Sequence, residues 1–289
     1  MALVSPHGYA RGLVRDDMRI ARQSFANLRS GLAGSTPRGQ ADLGAFLPDV
    51  LDQNLVSSCV MNAVPVAAVS TLAAGGVVLG FTPSVHAGYG LARGLDRAHT
   101  YPKDTAQQLV ANHPLQDTGT QLYVGAQVLS DWGVMAMGPL VTVAGYTRNS
   151  DCSPANCNAE PNLHEIQQSS TAIIVGAFEF TSAGATLAND IKLALDHGFM
   201  VAIGGFVDSS LDSYGPNSAP LGRQNTSDQY GGGHATLIYG YIDTPTGTIW
   251  LCRNSWGTQW GRAGNFQATD EFVLSMWEFL CMAVSLKRT

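Results

Sequence analysis

From Val60 to His86 the chain carries no charged side chain. This stretch is long enough to cross a bilayer. However, Pro65, Gly75, Gly76, Gly80 and Pro83 interrupt it, and Ala rather than Leu dominates. The pattern predicts a buried core helix over 59–72, capped by Ser57 or Ser58, kinked at Pro65 and ended by Gly75–Gly76. A second helix is expected over 83–93, with Ser84 as cap and Val85, Tyr89 and Leu91 on its buried side. Residues 97–116 are polar and read as loop. Asp117 to Thr120 then lead into a helix over 121–132, closed by Gly133.

Further on, the period shortens. Residues 139–170 form an irregular tract, and 170–180 alternate as a strand does. Residues 186–197 suggest a helix with Gly198 at its C-terminal end, and 200–206 a buried strand. The loop 208–231 precedes four runs, 234–241, 248–254, 265–268 and 282–286, expected as successive antiparallel strands. At the N-terminus, Met18, Ile20, Phe25 and Leu28 recur at near-helical spacing, before a loop over 31–40. Helices come first and a sheet after, with no alternating βαβ units. That order predicts an α+β fold of two lobes.

Composition narrows the class without changing this picture. A chain of 289 residues with 45% hydrophobic and 13% charged residues is ordered and can bury a large core. A net charge of -6, with no basic cluster, argues against a nucleic-acid footprint. Arg11, Arg15, Asp16, Asp17 and Arg19 leave no apolar signal segment in the first twenty positions. The expected location is therefore cytoplasmic, or outside the cell by a non-classical route. Five cysteines are too few and too irregular for a disulfide framework. Cys152 and Cys157 either close a small loop or stand as two thiols, and Cys252 and Cys281 read as core residues. No cofactor or metal site is expected.

The chemistry lies in Gln53 and Cys59, then His234 and Asn254. A thiol attacks a carbonyl as thiolate, and a helix N-terminus and a neighbouring imidazolium both favour that form. Cys59 opens the predicted core helix. His234 follows three glycines and starts a strand, and Asn254 ends the next one. Antiparallel pairing therefore sets the Asn beside the ring, where its oxygen fixes the tautomer. The Gln53 amide and the backbone N–H of Cys59 are candidate donors to an oxyanion.

These residues resemble the papain-like cysteine peptidases, in particular the shorter prokaryotic and viral members. The run Asn254-Ser255-Trp256-Gly257-Thr258-Gln259-Trp260-Gly261 matches the family's Asn-Ser-Trp-Gly-x-x-Trp-Gly, and Gly233-His234-Ala235 matches its His-Ala. Gln53 stands at the family's spacing from the nucleophile. The resemblance spans about 47–286. It implies a two-lobed fold, with a helical left lobe, an antiparallel β right lobe and the active-site cleft between them. It also implies a thiol endopeptidase acting on peptides or proteins, with Trp256 shielding the Asn–His contact, Thr118 and Gly119 meeting substrate backbone, and Ala235 lining a substrate pocket.

Three departures stand out: Val56 replaces a cysteine that many members pair in a disulfide, Asn54 and Ser57 replace glycines, and Val60 replaces an aromatic residue. The Cys-to-His separation exceeds the family's roughly 130–150 residues, so inserted loops are expected within 97–116 and 139–170. Residues 1–45 are expected as an extension or a pro-segment. Residues 46–289 would be the peptidase domain, mainly helical over 46–135 and mainly β over 136–289. The alternatives are a cell-wall amidase using the same site and a non-catalytic binding module.

Overall fold

The first part of the uncharged run folds as one helix, Cys59–Ala74, which is buried at every position from Cys59 to Ala73. A helix apolar on all sides is stable only inside a core. Among the described residues no helix is long and apolar enough to cross a membrane. The helix continues through Pro65 and ends at Gly75.

The structure, a computed structural model, describes residues 3–4, 10–11, 23–32, 36–135, 142–143, 146–147, 157–158 and 170–286. In chain order these form β1 (Leu3–Val4), β2 (Ala10–Arg11), β3 (Gln23–Ser24), α1 (Phe25–Gly31) and β4 (Gln40–Asp42). Next come α2 (Cys59–Ala74), α3 (Val85–Thr100), α4 (Ala106–Asn112) and α5 (Leu122–Asp131). The short strands β5 (Val134–Met135), β6 (Thr142–Val143) and β7 (Tyr146–Thr147) precede β8 (Ser170–Glu179), α6 (Gly184–Asp196), β9 (Val201–Val207) and α7 (Ser209–Asp212). The chain closes with β10 (Gly232–Thr244), β11 (Gly247–Arg253), β12 (Asn265–Thr269), α8 (Asp270–Val273) and β13 (Glu278–Leu286).

The main sheet has the order β12-β11-β10-β9-β13-β8-β3, with β4 also on β10 and β5 also on β8. Its pairings are antiparallel except β3 with β8. Strand alternation gives the sheet two apolar faces. Ala202, Ala235, Leu237 and Met282 join α2, α3 and α5 in one core, whereas Ile203, Ile238, Tyr241 and Trp250 join α6 and the aromatic C-terminal region in another. Helix α2 packs on β10 and β13. The fold is the α+β arrangement expected, with α2, α3 and α5 on one face of an antiparallel-rich sheet and α6 on the other.

Four expectations need correcting. Helix α3 runs seven residues past Arg93, to Thr100, with Arg97 and His99 in its last turn, where basic side chains suit the negative end of the helix dipole. The supposed loop 97–116 holds α4, started by a capping box in which Thr105 and Gln108 satisfy each other's backbone N–H groups. Neither Ser58 nor Ser84 caps its helix through its side chain. The final strand is not the neighbour of β12 but lies between β9 and β8, where Leu280 and Cys281 pair with both. Met18, Ile20, Cys152 and most of 139–169 lie outside the described residues.

Candidate active site

His234 stands near the start of β10, and Asn254 directly follows β11. The antiparallel register of these strands, with Leu237 opposite Arg253, brings the two side chains together. His234 Nε2 lies 2.8 Å from Asn254 Oδ1. The same oxygen accepts from the Ser255 N–H at 2.8 Å. Asn254 Oδ1 is thus the acceptor on the ring side, and His234 Nε2 carries the proton. The Asn254 backbone is held from the opposite direction by its N–H to Gly264 O, 2.9 Å. Gly264 sits at φ +82, with Val50 where a Cβ would be, so only glycine fits. Trp256 lies against the imidazole with ring centroids 4.8 Å apart and is itself braced edge-on by Trp260. The His–Asn bond is therefore dry, with His234 1% and Asn254 3% exposed.

Cys59 is the first residue of α2 and fully buried. Asn62 and Ala63, from the first turns of α2, share a crevice of about 10 Å³ with Ala235, Asn254 and Ser255. The start of the cysteine helix therefore abuts the His–Asn pair. Gln53 joins the two lobes. Its Oε1 accepts from Ser255 Oγ at 2.6 Å, its backbone N–H donates to Ser255 O at 2.8 Å, and its Nε2 donates to Val56 O at 2.9 Å. One residue of the Asn-Ser-Trp-Gly run thus touches both the histidine's partner and the glutamine.

Three of the departures, Asn54, Ser57 and Val60, have a local account. Asn54 adopts φ 49, a conformation that Asn tolerates where most residues do not. It is fixed by its N–H to Asp52 Oδ1 and its side-chain amide to Asp52 O. Ser57 has no positive φ, so a side chain brings no backbone strain there, and its N–H donates to Asp117 Oδ1 at 3.0 Å. Val60 is buried in the helical core, where its Cγ1 fills the space above Gly125.

Of the residues expected to meet substrate, Thr118 is exposed, whereas Gly119 is buried and its N–H donates to the Tyr89 hydroxyl at 2.9 Å. Ala235 is buried on the helical-lobe face of β10. Asp117, Tyr89 and Ser255 are the connecting residues that residue types alone did not mark as functional. Burial pushes the thiols of Cys252 and Cys281 far up, as expected of core cysteines, and raises that of Cys157. Among the described residues no group of three His, Cys, Asp or Glu gathers to hold a metal.

The papain family cysteine protease model matches residues 147–273, a span that holds His234 and Asn254 and begins after Cys59. Xylellain, a cysteine protease from Xylella fastidiosa, superposes at a TM-score of 0.67 with 22% identity, over 98% of this chain and 97% of that one. Digestive procathepsin L 3 of Tenebrio molitor larval midgut gives 0.64 and 17%, over 94% and 76%. Bromelain from Ananas comosus, in complex with the E64 inhibitor, gives 0.59 and 15%, over 85% and 98%. No curated protein matches. The likeness to these structures extends over nearly the whole chain and shows the two-lobed α+β fold. The fold is that of the papain-like cysteine proteases, and the part of the chain with His234 and Asn254 matches their family model.

Proposed function

We propose that the protein is an endopeptidase in which Cys59 is the nucleophile and His234 its base. His234 takes the thiol proton, the thiolate attacks the peptide carbonyl, and the imidazolium returns the proton to the departing amine. Water then hydrolyses the thioester. Asn254 holds the ring through Nε2, leaving Nδ1 to exchange a proton with the thiol. Gln53 and the Cys59 N–H stabilise the oxyanion. The observation that carries this reading is the buried 2.8 Å His234–Asn254 bond, tied through Ser255 to Gln53. Substrate backbone would run beside Thr118 and Gly119.

The N-terminal 45 residues restrain the site in this reading. Cys59 and His234 are 0% and 1% exposed, so a substrate reaches them only after the site is uncovered. The described parts of the segment support this: β2 lies against β10, β3 pairs with β8, and β4 pairs with β10. The likeness to a procathepsin, over 94% of the chain, points the same way.

The test is cleavage of dipeptidyl fluorogenic amides by the full chain and by a form lacking residues 1–40, each as wild type and Cys59→Ala. Trimming should raise the rate, and Cys59→Ala should abolish it. Robust cleavage by Cys59→Ala would overturn the mechanism, and equal rates with and without residues 1–40 would overturn the restraint.

A further inference from the structure

One carboxylate joins the turn that leads to Cys59 with the turn that follows in the helical lobe. Asp117 Oδ1 accepts from the Ser57 N–H at 3.0 Å and from the Tyr89 hydroxyl at 2.7 Å, while Oδ2 lies 3.3 Å from the same Ser57 N–H. The Tyr89 oxygen in turn accepts from the Gly119 N–H at 2.9 Å. Tyr89 is fully buried in α3. Arg93, one turn on, lies over its ring at 4.0 Å and donates from Nη1 to Gln116 O at 2.9 Å. Burial, then the charge of Asp117, pushes the Tyr89 phenol far up, so it stays a donor.

The turn 53–58 is therefore clamped on two sides. On the sheet side Ser255 holds Gln53, and on the helical side Asp117 holds Ser57. Of the two proposed oxyanion donors, the Gln53 amide belongs to the clamped residue on the sheet side, and the Cys59 N–H lies two residues beyond the clamp at Ser57. Val56, where the family resemblance puts a cysteine, offers no covalent tie, and the hydrogen-bonded tie sits at the next residue. Gly119 has its N–H committed to the hydroxyl that Asp117 also engages, so a displacement of 118–119 is transmitted through three hydrogen bonds to Ser57.

We propose that Tyr89 and Asp117 are positioning residues that couple substrate contact at Thr118 and Gly119 to the geometry of the Cys59 turn. The inference rests on Cys59 being the nucleophile. It makes part of the substrate's binding energy appear as rate rather than affinity.

The experiment compares aminoacyl and dipeptidyl fluorogenic amides, identical at the cleaved bond, on wild type, Tyr89→Phe, Asp117→Ala and Asp117→Asn, with a melting temperature for each. In wild type the second residue should lower KM and also raise kcat. In Tyr89→Phe and Asp117→Ala it should still lower KM, but the gain in kcat should shrink by on the order of tenfold. Asp117→Asn keeps an acceptor oxygen for both donors and should retain most of the gain. Should Tyr89→Phe fail to fold, the two Asp117 variants report the same coupling. An equal loss on both substrates, or no loss at all, would overturn the inference. A wild type that cleaves neither amide, both as the full chain and lacking residues 1–40, would overturn the nucleophile reading and this inference with it.

Discussion

Replacing Ser255 by Ala removes one oxygen and leaves every backbone contact of the site in place. That oxygen donates to Gln53 Oε1 at 2.6 Å, between side chains that are 4% and 1% exposed. A buried neutral hydrogen bond contributes about 1 kcal/mol, and stranding its acceptor costs up to about 3 kcal/mol. For a chain of this size each kcal/mol lowers Tm by about 2–4 °C. The kinetic effect is bounded above by loss of an oxyanion donor, about a hundredfold or more. Gln53 keeps its bonds to Val56 O and Ser255 O, so its amide loosens rather than leaves. A fall in kcat of about tenfold, or about 1.4 kcal/mol, with KM unchanged, is expected. The assay is steady-state cleavage of a dipeptidyl amide by Ser255→Ala beside Gln53→Ala. If Gln53→Ala lost a hundredfold while Ser255→Ala kept wild-type kcat, the claim that Ser255 positions the glutamine would be wrong.

Two further perturbations probe other parts of the account. His86 is held neutral down to a pKa of about 4, first by burial and then by the charge of Arg93. The unfolded chain binds this proton from about pH 6.5. Stability is therefore full above that value and is lost as pH falls toward 4, by up to about 3 kcal/mol. His86→Gln should flatten that loss in urea melts at neutral and acid pH, and an unchanged slope would remove His86 as its source. Phe25 is 1% exposed and stacks on Phe180 at 4.3 Å. Phe25→Ala should weaken the seat of α1 by about 3–5 kcal/mol and raise the untrimmed chain's peptidase rate. A rate unchanged from wild type would separate α1 from any control of the site.

The parts of the molecule legible in sequence were those where local pattern and burial agree. Helix α2 could be placed because an uncharged run punctuated by Gly75 and Gly76 has one soluble solution, the inside of a core. His234 and Asn254 could be paired because each sits at a strand end and adjacent strands pair antiparallel. Helix α4 was missed although Thr105 and Gln108 spell its capping box, since its polar faces carry no apolar stripe. The place of β13 between β9 and β8 follows from sheet topology, which no local pattern encodes. The same holds for the tie of Ser57 through Asp117 to Tyr89. An Asp ahead of a helix looks like a cap, and only the packing of α3 shows that its carboxylate serves another turn.

The central claim is that His234 makes Cys59 a nucleophile. Its most direct test is the rate of iodoacetamide alkylation at about pH 6, located by peptide mapping, in wild type and His234→Ala lacking residues 1–40. Thiolate, not thiol, is alkylated. Cys59 should take up label far faster than the buried Cys252 and Cys281, and His234→Ala should slow Cys59 alone. Labelling of Cys59 no faster than those two in a folded sample, or at the same rate without His234, would contradict the account.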